Sequence, residues 1–272
     1  MAKRKNDDND NKSNKKRFYG RKGPALIDPN TTGLYATCTR RKEKQCKDEL
    51  IGLLEEKIHE YFDIEDEKDN DGEEENKVLS IEEKIQLELK QMDSKSSDRK
   101  NDLLQPYDLG TECLLFIKTK KPIDPEILVE NIMKETYETG VKTTRYTSKL
   151  IPIMNTCSSN GENPLEQLKI LAKQVLKRHF HNEKNQKPLS FAIQVTKRNF
   201  QQFSSNEIIK SIAECVGKDH GHKVDLKDYD KLIIVECFKN SIGMSVVNNY
   251  LKYSKYNLQQ IFDKQHEENK DD

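Results

Sequence analysis

Long hydrophobic runs are missing from this sequence. No apolar stretch approaches the ~18–20 residues that a membrane-spanning helix requires, so an integral membrane protein of that kind is excluded. Apolar residues are scarce in general: 33% of the 272 residues are hydrophobic, 35% are charged, and mean hydropathy is −0.94. A typical globular chain is about 45–50% apolar and about 25% charged. The shortfall excludes a chain folded from end to end and predicts solvated segments beside a modest core. The opening MAKRKNDDND puts no apolar stretch behind its basic residues, so a secretory leader is not expected. Paired cysteines are also missing: the six lie far apart, with no CxxC. They are expected to be reduced, mostly buried thiols of an intracellular protein.

The common catalytic signatures are absent together. Neither G-x-x-x-x-G-K-[ST] nor G-x-G-x-x-G occurs, and there is no G-x-S-x-G or H-E-x-x-H. No glycine turn suited to a pyrophosphate at a helix start is visible among the 11 glycines. A non-catalytic protein is therefore expected. Cys215, His220, His222 and Cys237 offer two sulfurs and two nitrogens, but lack the local pairing through which one segment presents two zinc ligands. No metal is expected there. His179 and His181 read as cations at a helix C-terminus.

What is present is a segregation of charge beneath equal totals of 47 basic and 47 acidic residues. Residues 1–23 hold nine basic residues against three acidic ones, and 63–77 hold nine acidic against two basic. Residues 141–200 hold eleven basic against three acidic. The pattern predicts a disordered basic arm over 1–32 and an acidic insertion over 63–105, with one weak helix across Ile81–Leu89. Between them stand a strand at Leu34–Cys38 and a helix whose stripe is Cys46, Leu50, Leu53, Leu54, Ile58 and Tyr61. Beyond the insertion come a strand at Thr111–Ile117 and a helix capped by Asp124-Pro125 and closed by Gly140. An extended Arg145–Met154 follows, confined to an edge by Pro152. A helix through Leu165, Leu168, Leu171, Val175 and Leu176 precedes an alternating strand, Phe191, Ile193 and Val195. A helix with the Ser204/Glu207 capping box and strands at Leu232–Cys237 and Ile242–Val247 complete the pattern. These elements predict an α+β or mixed-sheet protein of two small subdomains.

The basic residues of the middle region recur at chosen places. Lys169, Lys173 and Lys177 form a ridge opposite the leucine stripe, with Arg178 beside them. Lys142, Arg145 and Lys149 lie on the extended segment, and Lys197, Arg198 and Asn199 follow the alternating strand. A convergence of these groups would attract a phosphate backbone. Tyr250, Tyr253 and Tyr256 could stack bases, but docking on the body is the favoured reading. Lys3-Arg4-Lys5 and Lys15-Lys16-Arg17 have the two-part look of a nuclear-import signal, and equally of an RNA-binding arm.

Four segments carry a family resemblance: LYATCTRRKEKQ at 34–45, KTTRYTSKLIPI at 142–153, FAIQVTKRNF at 191–200 and SVVNNYLKYSKYNLQQIF at 245–262. In this succession the chain resembles the THUMP-domain adaptors that partner the RNA cytidine acetyltransferase on tRNA. The resemblance implies a ferredoxin-like half over 33–140, a THUMP domain over 141–250, and a C-terminal helix and acidic tail over 251–272. It implies a grip on the tRNA acceptor stem near its 3′ end, at Arg145, Lys149, Lys197, Arg198 and Asn199. It also implies delivery of serine and leucine tRNAs for N4-acetylcytidine formation in the D-arm. Acetyl-CoA, ATP and the chemistry belong to the partner, so no cofactor is expected here. The alternatives are an RNA-modifying enzyme with its own cryptic acetyl-CoA site, or a ribosome-assembly scaffold. The expected location is the nucleus or nucleolus, with the cytoplasm also open.

Overall fold

The computed structural model describes residues 26–62, 103–182 and 186–271. Strand β1 (Thr32–Cys38) leads into helix α1 (Glu43–Tyr61), whose inward stripe is Cys46, Leu50, Leu53, Leu54 and Ile58, as the spacing predicts. Strands β2 (Leu104–Tyr107) and β3 (Leu114–Thr119) follow. Helix α2 (Pro125–Thr139) begins at Asp124, whose carboxylate accepts from the amides of Glu126 and Ile127. It ends at Gly140, whose φ of 63° is the left-handed conformation that glycine adopts without strain. Strand β4 (Thr147–Ile153) completes an antiparallel sheet of order β2-β3-β1-β4. With two helices on one face, this is the ferredoxin-like arrangement that the resemblance implies.

The second sheet has order β5-β9-β8-β6-β7. It is built from β5 (Asn155–Ser158), β6 (Ser190–Arg198), β7 (Lys223–Val224), β8 (Lys231–Phe238) and β9 (Ser241–Asn248). Helices α3 (Pro164–Phe180) and α4 (Ser205–Val216) cover one face, and α5 (Leu258–Asp271) closes the described chain. Phe191, Ile233, Val235, Ile242 and Met244 pack under α3 and α4. Ala192, Leu232, Ile234, Phe238 and Val247 of the same sheet belong to the core of the first half. The sheet is therefore covered on both faces, which is why β6 lacks the clean buried-exposed alternation that its sequence suggests.

Several boundaries move. The weak helix at Ile81–Leu89 lies outside the described residues, as do residues 1–25 of the arm and 63–102 of the insertion. Leu104 and Gln105, at the end of the expected insertion, pair with Thr119 and Lys118 of β3. Order begins before residue 33: Ile27 is buried, and Asn30 and Thr31 donate backbone N–H bonds to Thr156. Bonding to β5 supplies what the composition of that segment cannot. The strand expected at Thr111 starts at Leu114, after a turn in which Cys113 takes a φ of 61°. Leu165 is exposed at the first turn of α3 and lies off its buried stripe. Strand β4 pairs with β1, so the first sheet includes residues that a boundary at 140/141 assigns to the second half.

The two halves are tightly joined. Met154 N–H donates to Met244 O at 2.9 Å, and Ser245 Oγ donates to Pro152 O at 2.6 Å. A side chain at Gly243 would meet Ile153 Cγ2 at 2.9 Å, so glycine is what permits β9 to approach β4 this closely. Glu126 of α2 accepts the Val246 N–H at 2.7 Å, an amide that lies past the end of β5 and has no strand partner there. Its other carboxylate oxygen takes Arg178 and His179 from the end of α3. His179 is not the helix-end cation expected: burial, aided by Lys231 and Arg178, pushes its pKa down to about 3 and keeps it neutral.

Candidate nucleic-acid interface

Strand β4 joins three of the four segments that carried the resemblance, its own, the first and the fourth. Its inner side bonds to β1, which holds the start of the first segment. Leu150 N–H points outward and donates to Tyr256 O at 3.2 Å, and Lys149 bridges Asn257, both of the fourth segment. Pro152 shares that outward orientation, so its missing donor removes no ladder bond. The start of β4 is fixed by Glu49 of α1. That carboxylate accepts N–H bonds from Arg145 (2.7 Å), Tyr146 (3.2 Å) and Thr147 (3.1 Å), and the Thr147 hydroxyl at 2.9 Å. Thr39 N–H donates to Tyr146 O at 3.1 Å, which ties the β1–α1 turn to the same place.

The cations around β4 fall into two kinds. Lys142 is exposed, with Nζ 5.4 Å from the Phe262 ring, and Arg145 is exposed, with its guanidinium 5.4 Å from the Tyr146 ring. Lys42 approaches the same tyrosine at 5.9 Å. Among the described residues none of Lys42, Lys142, Arg145 and Lys149 forms an ion pair. Arg198 differs: it pairs with Glu236, a carboxylate 2% exposed on the neighbouring strand. Burial pushes the Glu236 pKa up, and Arg198 and then Lys149 counter that shift. Beside them Tyr35 is driven well above its ordinary range, chiefly by burial and then by Glu236. Glu236 thus has Arg198 as its ion-pair partner and feels Lys149 only as a weaker, more distant charge.

The remaining expected residues lie elsewhere. Strand period puts Lys197 and Arg198 on opposite faces of β6. Lys197 turns to the helix side, where Nζ donates to Phe203 O at 2.6 Å and lies 5.9 Å from the Phe200 ring. Lys169 lies 3.4 Å from Glu214 of α4, while Lys173 and Lys177 are exposed on α3. Asn199 sits at the end of β6 in the left-handed conformation, φ 53°. Arg178 is held by Asp124 and Glu126. The expected single convergence thus divides at the second sheet. Lys142, Arg145, Lys149 and Arg198 gather about β4, and the α3 ridge with Lys197 belongs to the helical side. The leucine stripe that fixes the ridge is also what turns it away.

Tyr250, Tyr253 and Tyr256 are buried and pack on the body, with the Tyr256 hydroxyl donating to Asn248 O at 2.9 Å. They do so from a turn in which Ser254, Lys255 and Tyr256 have positive φ, not from a helix. His222 spends both ring nitrogens on the backbone, at Leu189 N and Phe180 O. Among the described residues no group of three or more His, Cys, Asp or Glu is placed to hold a metal ion. Sequence reasoning missed Glu49, Lys42, Tyr146 and Glu236. Lys42 and Tyr146 stand inside segments already singled out, and Glu236 is the one acid in the apolar run LIIVECF.

A family model for the THUMP domain matches residues 162–247, which run from the loop before α3 through β9. The chain is 42% identical over 278 residues to the protein named tRNA acetyltransferase TAN1 of Saccharomyces cerevisiae, covering 96% of this chain and 94% of that one. It is 30% identical over 248 residues to THUMP domain-containing protein 1 of Mus musculus, covering 88% of this chain and 67% of that one. The ferredoxin-like half, the THUMP match and these two similarities agree: the chain belongs to the family of THUMP domain-containing proteins that includes yeast TAN1 and mammalian THUMP domain-containing protein 1.

Proposed function

We propose that this chain is a tRNA-binding adaptor for tRNA acetylation that performs no chemistry of its own. It presents serine and leucine tRNAs, gripped at the acceptor stem and 3′ end, to a separate RNA cytidine acetyltransferase that forms N4-acetylcytidine in the D-arm. The observation that carries this reading is the gathering of the first, second and fourth segments on β4, where Lys142, Arg145 and Lys149 form no ion pair among the described residues. An acceptor stem is A-form RNA, whose deep, narrow major groove excludes side chains. Recognition there uses phosphates, 2′-hydroxyls and unpaired ends, for which an open surface with fixed cations is suited. The kinship to TAN1 supports the acetylation context. Nuclear import through the basic arm belongs to the same proposal.

The name of the yeast relative favours a second reading, in which the chain is itself an acetyltransferase. One experiment separates the two. Pure protein is mixed with tRNA, ATP and labelled acetyl-CoA, with and without the RNA cytidine acetyltransferase. The adaptor reading requires label in tRNA only when both proteins are present, and incorporation by this chain alone overturns it.

A further inference from the structure

At the start of β4 the backbone is pinned while the side chains are left outside. Glu49 takes three successive amides, and Thr39 takes the Tyr146 carbonyl. Such a concave row of N–H groups is an anion nest. Here the protein's own carboxylate fills it, so the loop offers no phosphate pocket. What it offers is Arg145 lying over the half-buried Tyr146 ring, with Lys42 near the same ring.

The acids close by are already engaged. Glu43 accepts the Cys113 N–H at 3.0 Å, a bond that holds its carboxyl below the usual range, and Glu112 is taken by Arg40. Among the described residues Lys42 and Arg145 have no ion-pair partner. A guanidinium over a tyrosine ring sets a cation beside an aromatic face, and bases splayed from single-stranded RNA stack on both aromatic rings and guanidinium planes. A compact ammonium such as that of Lys42 suits the adjoining phosphate. An acidic peptide would use the two charges but not the plane, so the geometry favours RNA.

We infer that Tyr146, with Arg145 over its ring and Lys42 beside it, is a stacking station for one unpaired RNA base, and that Glu49 is the positioning residue that sets it. The inference rests on the RNA-binding reading above and names the contact within it. Without the Glu49 clamp, residues 145–147 lose three backbone hydrogen bonds and that of the Thr147 hydroxyl, and Arg145 loses its fixed place over the ring.

The test uses the full chain and two RNA hairpins of one stem. One has a 3′ single-stranded overhang carrying 2-aminopurine, and the other is blunt. Binding of the overhang hairpin should quench the 2-aminopurine fluorescence. Tyr146→Leu should abolish the quenching and weaken that hairpin about tenfold, leaving the blunt one unchanged, while Tyr146→Phe retains both properties. Lys42→Ala should keep the quenching and lower the salt slope by about one. Glu49→Ala and Arg145→Ala should each weaken binding, with the double variant no worse than either alone. If Glu49→Ala fails to fold, the Tyr146 pair carries the test. Unchanged quenching in Tyr146→Leu overturns the stacking station, and the wider reading survives if Arg145→Ala with Lys149→Ala still weakens tRNA binding. Failure of both hairpins to bind, with binding of polyglutamate in their place, overturns both.

Discussion

Arg198 of β6 reaches across to Glu236 of β8, and the acid it meets is 2% exposed. An arginine that the sequence marks for phosphate is thus already spoken for by a carboxylate of its own chain. Breaking a buried pair leaves an uncompensated charge. Arg198→Ala should destabilise the protein by about 2–3 kcal/mol, somewhat below the fully buried range because Arg198 keeps 29% side-chain exposure. The double variant Arg198→Met with Glu236→Gln should recover most of that loss. Urea unfolding of the three proteins checks it, and equal stability of Arg198→Ala and the parent would show the pair to be idle.

Arg145 and Lys149 carry charge of the other kind. Arg145→Ala with Lys149→Ala should leave the unfolding midpoint nearly unmoved and lower the slope of log K against log salt for tRNA by about two. Lys173→Ala with Lys177→Ala, on the helical side, should change affinity less than twofold. Filter binding at several salt concentrations makes the comparison.

His179 makes stability depend on pH in a known direction. Its folded pKa of about 3 lies below the ordinary value of 6.5, so the unfolded chain takes up a proton first as the pH falls. Its contribution is complete above about pH 6.5 and is lost progressively from there towards pH 3, at up to about 1.4 kcal/mol per pH unit. The groups facing it are Glu126, Asp124, Glu130, Arg178 and Lys231. In His179→Gln the curve of stability against pH should be flatter over this window, measured by urea unfolding at stepped pH.

Gly243 tests how closely the halves are packed. Gly243→Ala forces a methyl against Ile153 and should cost about 1–3 kcal/mol. Adding Ile153→Val should return part of it, since that side chain is what the methyl meets. Thermal melts of the two variants decide, and additive losses would count against the contact.

Much of this fold is legible in the sequence because its elements are locally punctuated. Asp124-Pro125, Gly140 and the Ser204/Glu207 box mark helix ends wherever the chain is placed, and both caps form as their residues dictate. Pro152 marks an edge strand, and β4 is one. The site is less legible because it is made by pairing distant segments. Lys197 and Arg198 are neighbours in the chain, yet strand period sends one to the helices and the other to Glu236. Nothing local in EKQCKDEL announces that Glu49 clamps residues 96–98 positions away. Tyr146 looks like any exposed aromatic until Lys42 and Arg145 are set about its ring.

Photocrosslinking of the full chain to bound tRNA, read out peptide by peptide in a mass spectrometer, locates the RNA on the surface. If RNA lies on the β4 face, crosslinks fall within residues 142–149 and at Lys42, and are lost in Arg145→Ala with Lys149→Ala. Crosslinks confined to the outward lysines of α3 or to residues 1–23 would contradict it.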